Sequence, residues 1–132
     1  MSLAPSPRPR IDWGQLPLVV AGGAMGVLAR FLLALAWPGD GVVAVLLINV
    51  AGSALLGLLI GAAGDARRLR AFLGTGALGG FTSYSALVPW LTGAPGVAVA
   101  AAGLAGTVIL GALAAGAGLA GGSALARRRA AS

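Results

Sequence analysis

Residues 71–91 read Ala71-Phe72-Leu73-Gly74-Thr75-Gly76-Ala77-Leu78-Gly79-Gly80-Phe81-Thr82-Ser83-Tyr84-Ser85-Ala86-Leu87-Val88-Pro89-Trp90-Leu91. The run is apolar enough for a membrane span, yet its middle is not that of an ordinary helix. Between Gly74 and Ser85 stand four glycines and four Thr or Ser residues. Each glycine costs a helix interior about 1 kcal/mol relative to alanine, so a continuous helix is poor here. Irregular backbone at membrane depth survives only where protein or a water-filled cavity surrounds it. The run therefore predicts a helix broken near mid-membrane, the kind of break that lines ion and substrate sites.

The flanking sequence supplies the membrane. Of 132 residues, 58% are hydrophobic, 9% are charged and 23 are glycine, and the mean hydropathy is +0.96. One span takes about 20 apolar residues, so the chain has room for four spans and no sizeable water-soluble domain. The first runs from Leu16 to Ala36 and is interrupted only by Arg30. A turn of breakers, Trp37-Pro38-Gly39-Asp40-Gly41, ends it. The second, from Val42 to Ala63, is apolar apart from Asn49 and Ser53. A charged link, Gly64 to Arg70, leads to the third run, and Thr92 to Pro95 leads to a Gly/Ala-rich fourth. That fourth run, Pro95 to Ala124, makes about 45 Å of helix against a core of about 30 Å, so it must tilt or emerge. The reading is an all-α membrane protein of four transmembrane helices. Residues 1–14 form a Pro-rich disordered tail ending in an interfacial Trp13, residues 15–126 the four-helix unit, and residues 127–132 a basic tail. The first apolar run is too long for a signal-peptide core, and no cleavage site follows it.

Small residues four apart recur at Gly22/Gly26, Gly57/Gly61 and Gly118/Gly122. They allow close helix approach in lipid and point to tight packing. The residues that are missing limit the chemistry. With no Cys, His or Glu, thiolate catalysis, disulfides and imidazole metal sites are excluded. The acids are Asp12, Asp40 and Asp65, all outside the apolar runs, so no carboxylate pair serves acid–base work or proton relay. The chain does not read as an enzyme.

All nine basic residues are Arg, and the formal net charge is +6. With four spans, both termini and the link between spans two and three share one side. That side carries Arg8, Arg10, Arg67, Arg68, Arg70 and Arg127 to Arg129, whereas the opposite loops carry no Arg. Such a bias sets the termini in the cytoplasm; the expected location is the plasma membrane of a prokaryote. The Arg127 to Arg129 tail is also suited to anionic lipid.

Few polar residues lie inside the spans. Arg30 either snorkels to the outer interface or attracts anions into a wet vestibule, where a permanent charge with five donors suits an anion. Asn49 either bonds a neighbouring helix or donates to a permeating ion. The run Phe81-Thr82-Ser83-Tyr84-Ser85 combines hydroxyl donors with aromatic edges, the positive part of the ring quadrupole. Its plainer reading is aromatic packing beside helix-capping hydroxyls.

Three motifs in order, Gly22-Gly23-Ala24-Met25-Gly26 with Arg30, Asn49 with Gly52-Ser53 and Gly57, and Gly74-Thr75-Gly76 with Gly79-Gly80-Phe81-Thr82-Ser83-Tyr84-Ser85, resemble the CrcB/Fluc family of fluoride channels over residues 18–125. The resemblance supplies the ion and implies an antiparallel dimer with two pores at its interface. It makes Phe81 and Tyr84 the pore-lining aromatic pair, Asn49 the pore-facing amide and Arg30 the vestibule Arg. It adds Thr82, Ser83 and Ser85, with Thr107, as a polar track. The carbonyls of Gly76 and Gly79 fall where the family holds a structural sodium ion. Tyr84 stands where a second Phe is usual, Leu87 where Glu is frequent, and the stretch before Asn49 lacks the usual Gly-Thr.

The implied function is passive, fluoride-selective export from the cytoplasm. A dual-topology homodimer needs little charge bias, so the bias here predicts a partner that is an oppositely oriented homologous subunit. The alternatives are a non-conducting or partly degenerate partner subunit of a heterodimeric channel, and a small multidrug-type exchanger, whose membrane Glu this chain lacks.

Overall fold

The computed structural model describes residues 12–64 and 66–131, and it is helical throughout. Helix α1 spans Leu16–Ala36, entered through a single 3-10 turn, Trp13–Gln15. Asp12 starts that turn by accepting from the Gly14 N–H at 3.1 Å and from Gln15 Nε2 at 2.8 Å. The disordered tail expected over residues 1–14 lies for the most part outside the described residues. Its last members, Asp12 to Gly14, are an ordered helix entry.

Helix α2 spans Gly41–Ala62 and is capped at its start by Asp40, whose Oδ1 accepts the Val42 N–H at 2.8 Å. It ends at Gly64, whose φ of +49° takes the left-handed conformation that glycine adopts without a Cβ penalty. Arg70 reaches back to this end and donates from Nη2 to the Ile60 carbonyl at 3.1 Å, one of the last carbonyls that an isolated helix leaves unbonded.

The third run is a relay of short pieces. Helix α3 covers Arg67–Leu69, a π-helical stretch covers Arg70–Leu78, and helix α4 covers Gly79–Phe81. Thr82 then takes extended geometry, with ψ at 147°, and ends the helix. A 3-10 turn, Ser85–Leu87, and helix α5, Val88–Gly93, carry the chain onward. Helix α6 runs unbroken over Val97–Ala130, about 51 Å at 1.5 Å per residue, with Arg127 to Arg129 in its last turn. Among the described residues three helices are long and apolar enough to cross a membrane: the one running through α1, α2 and α6. The third of the four expected spans is this relay.

Two tight seams organise the bundle, both built on glycine. A Cβ on Gly57 would collide with the Ala115 carbonyl, and one on Gly61 with that of Leu119. In return, a Cβ on Gly118 would collide with the Ala54 carbonyl and one on Gly122 with that of Leu58. Thus α2 and α6 interlock reciprocally, backbone against backbone, as small-residue pairs permit. On the other seam, Gly22 and Gly26 of α1 meet the carbonyls of Phe72 and Ala77, while Gly80 of α4 meets that of Gly23. The apolar core of this single chain is small, Ala44, Ile48, Ala71 and Leu87, and large apolar side chains such as Phe31 and Leu35 face outward. That inversion suits a protein whose solvent is lipid.

Candidate functional site

The site assembles where α2 passes the helix break. Asn49 lies at the middle of α2 and is 8% exposed. Its Nδ2 donates to the Ser83 carbonyl at 3.0 Å, and its Oδ1 accepts the Ser83 N–H at 2.8 Å. One amide thus satisfies both backbone groups of Ser83, which the break has taken out of the helical ladder. Nδ2 carries two hydrogens, so one donor remains beyond the clamp. Gly52, one turn on, admits the break: a Cβ there would stand 2.5 Å from Thr82 Cγ2 and 3.3 Å from Phe81 Cδ1.

The clamp has a consequence for the end of α4. In a continuing helix the Ser83 N–H would bond the Gly79 carbonyl. Because that N–H goes to Asn49, the Gly79 carbonyl is left without it, at the negative end of a helix. Gly79 is also solvent-accessible. Gly76 differs: its carbonyl accepts the Gly79 N–H, and the residue is buried against α1, where Val19 and Gly22 crowd it. Of the two carbonyls expected to hold sodium, that of Gly79 is exposed and without its helical N–H, whereas that of Gly76 is buried and already accepts one hydrogen bond, keeping its second lone pair. Among the described residues no three His, Cys, Asp or Glu side chains come together.

The hydroxyls divide in the same way. Thr82 Oγ1 donates to the Leu78 carbonyl at 3.1 Å and Thr107 Oγ1 to the Gly103 carbonyl at 2.9 Å. Both spend their single proton on their own helix. Ser83 Oγ and Ser85 Oγ lie 3.0 Å apart; one donates to the other, so the pair keeps one O–H for a third partner. Tyr84 is 65% exposed, and its phenol is an additional donor. Asn49, Ser83, Tyr84 and Ser85 are therefore neighbours with donors to spare.

The remaining expected residues lie apart from this group. Phe81 is half-buried and lines two apolar cavities, one with Leu33, Trp37 and Ile48 and one with Met25, Ala29 and Leu55. It packs between α1 and α2, whereas Tyr84 projects outward. Thr107 lines a separate cavity with Leu46 and Leu87. Arg30, on α1, is half-buried and makes no hydrogen bond or ion pair among the described residues. Sequence reading offered Asn49 a bond to a neighbouring helix but not Ser83 as its partner, because an amide in an apolar run carries no mark of which group it meets.

Residues 17–119 match the family described as CrcB-like protein, Camphor Resistance (CrcB). The chain belongs to the CrcB family. It is 40% identical over 124 residues to the fluoride-specific ion channel FluC 2 of Leifsonia xyli subsp. xyli, which covers 85% of this chain and 86% of that protein. It is 57% identical over 68 residues to the fluoride-specific ion channel FluC 1 of Rhodococcus jostii, covering 52% of this chain and 53% of that one. This match thus spans about half the length of the Rhodococcus relative. A third, FluC 2 of Thermobifida fusca, is 44% identical over 87 residues, or 59% of this chain and 63% of the relative. No solved structure matches the chain. A CrcB chain is an ion-channel protein and not an enzyme, and this one is a multi-pass membrane protein.

Proposed function

We propose that this chain is a subunit of a passive fluoride channel that lets fluoride leave the cytoplasm of a prokaryote. The observation that carries the reading is the helix break pinned by Asn49, with Ser83, Tyr84 and Ser85 beside it. Fluoride is a small, strongly hydrated anion, and a pore must replace its water with fixed donors. The spare Nδ2 hydrogen of Asn49, the serine pair and the Tyr84 phenol supply such donors, while Phe81 and Tyr84 add positive ring edges. Thr82 and Thr107 serve less directly, through their place along the wall. Arg30 concentrates anions at one mouth by its permanent charge.

Tyr84, Ser85 and much of α1 face outward, which supports a pore completed by a second subunit, packed antiparallel. The Arg bias supports an oppositely oriented homologue as that subunit in the cell, with both termini of this chain cytoplasmic. A structural sodium would be held by Gly79 and the other carbonyls that end α4; it would neutralise oxygens at the break and join the two subunits there. Liposomes loaded with fluoride and bearing this purified chain test the reading. Fluoride efflux without chloride efflux is the expected result. Equal release of both ions, or none even after the partner homologue is added, overturns it.

A further inference from the structure

A cavity of about 420 Å³ runs from Ala77 and Leu78, just before the helix break, to the ends of α2 and α6. Its wall combines all the long elements except α1: Leu59 and Ala62 of α2, Leu73 and Leu78 of the third run, and Leu125 and Arg129 of α6. Arg129 is the one charged residue in that wall; the rest are Leu or Ala. The cavity is open at the surface, since Leu55 and Leu125 at its edge are 49% and 45% exposed.

Its level follows from α2. That helix has 22 residues, about 33 Å, so it crosses a hydrocarbon core of about 30 Å once and ends at the interface. Ala62 is its last residue, and Arg129 shares a wall with it. The guanidinium therefore stands where head groups are, with Arg127 and Arg128 in the same turn of α6. Below it lies a slot of leucine side chains, which forfeits dispersion contacts unless hydrocarbon fills it. A cation above a hydrocarbon slot is the complement of one amphiphile. We infer that this cavity binds an anionic phospholipid, with an acyl chain among the leucines and the phosphate-bearing head group on Arg129. The bound chain touches both α2–α6 and the third run, so it joins the two seams of the bundle.

Native mass spectrometry of the purified full chain in neutral detergent, titrated with phosphatidylglycerol or phosphatidylcholine, tests this. One phosphatidylglycerol is retained per chain, about five-fold more tightly than phosphatidylcholine, the ratio expected for one basic side chain near an anionic head group. Arg129→Gln abolishes the preference, and Arg68→Gln, outside the cavity wall, keeps it. Ala62→Phe, which fills the slot, lowers retention of both lipids. Equal affinity for the two lipids, or a preference that survives Arg129→Gln, overturns the inference. So does displacement of the lipid by inorganic phosphate, the mark of a simple anion site. If Ala62→Phe changes dimer content and not lipid retention, a second copy of the chain covers the slot and the inference falls. The Arg129→Gln arm stands even if Ala62→Phe does not fold, because Arg129 lies in the last turn of α6.

Discussion

The two glycine seams look alike in sequence and behave differently in space. Along α2–α6, four glycines on two regular helices meet four carbonyls in alternation, so each helix grips the other over two turns. Along α1, the glycines meet a π-helical stretch and the short α4 after it, and the contact runs to Gly80 and Phe81, beside the break at Thr82. The first seam is a rigid zipper. The second holds a short, irregular segment whose end is free to be shaped by Asn49. One pair gives the bundle its stability and the other gives it a site.

This contrast is broken most directly at Gly118. Gly118→Val places a side chain on the Ala54 carbonyl, which no rotamer relieves, and is expected to cost more than about 3 kcal/mol and abolish folded protein in detergent. Gly116→Val, two residues away with nothing within 4 Å of its Cβ position, leaves yield and melting temperature close to those of the parent. On the other seam, Gly26→Ala meets the Ala77 carbonyl. Because the contacted segment is short and ends at the break, it can shift as a piece, and a loss of about 1–2 kcal/mol in thermal unfolding is expected, smaller than for Gly118→Ala. Equal losses for the two alanine variants would show that the seams are equally rigid.

Asn49→Leu sharpens the comparison at the site. It removes both hydrogen bonds to Ser83 and leaves a half-buried N–H and carbonyl unpaired, at about 1–3 kcal/mol. Fluoride efflux is expected to fall at least about ten-fold, since the geometry of the break is lost along with a donor. Asn49→Asp keeps the acceptor for the Ser83 N–H, loses the donor and adds negative charge; efflux should stay low while stability partly recovers. Tyr84→Phe removes one exposed hydroxyl, so melting should shift by less than about 0.5 kcal/mol-equivalent while efflux reports whether the phenol donates. The smallest effect on efflux is at Asp40→Ala, which deletes the α2 N-cap and should lower stability by about 1 kcal/mol with flux and selectivity unchanged.

Much of the fold is legible residue by residue. The runs bounded by Pro38-Gly39 and Thr92 to Pro95 mark helix ends because breakers act locally. The glycine pairs announce close approach, and both seams use them. The π pitch of Arg70–Leu78 is not legible: its glycines permit either ladder, and contact with α1 selects one. Nor does Thr82 in sequence reveal that its proton goes to Leu78, leaving the serine pair as the freer hydroxyl source.

The sequence by itself determined the membrane class, the Gly- and hydroxyl-rich interruption of the third run and the basic end, because hydropathy, backbone propensity and charge add along the chain. Only the tertiary structure decided which carbonyl is left open, Gly79 and not Gly76, and which donors remain after Asn49 has clamped Ser83. Those are outcomes of pairing across 34 residues of chain. A hydrogen-bonding group's availability depends on which partner reaches it first, and that is a property of three-dimensional geometry.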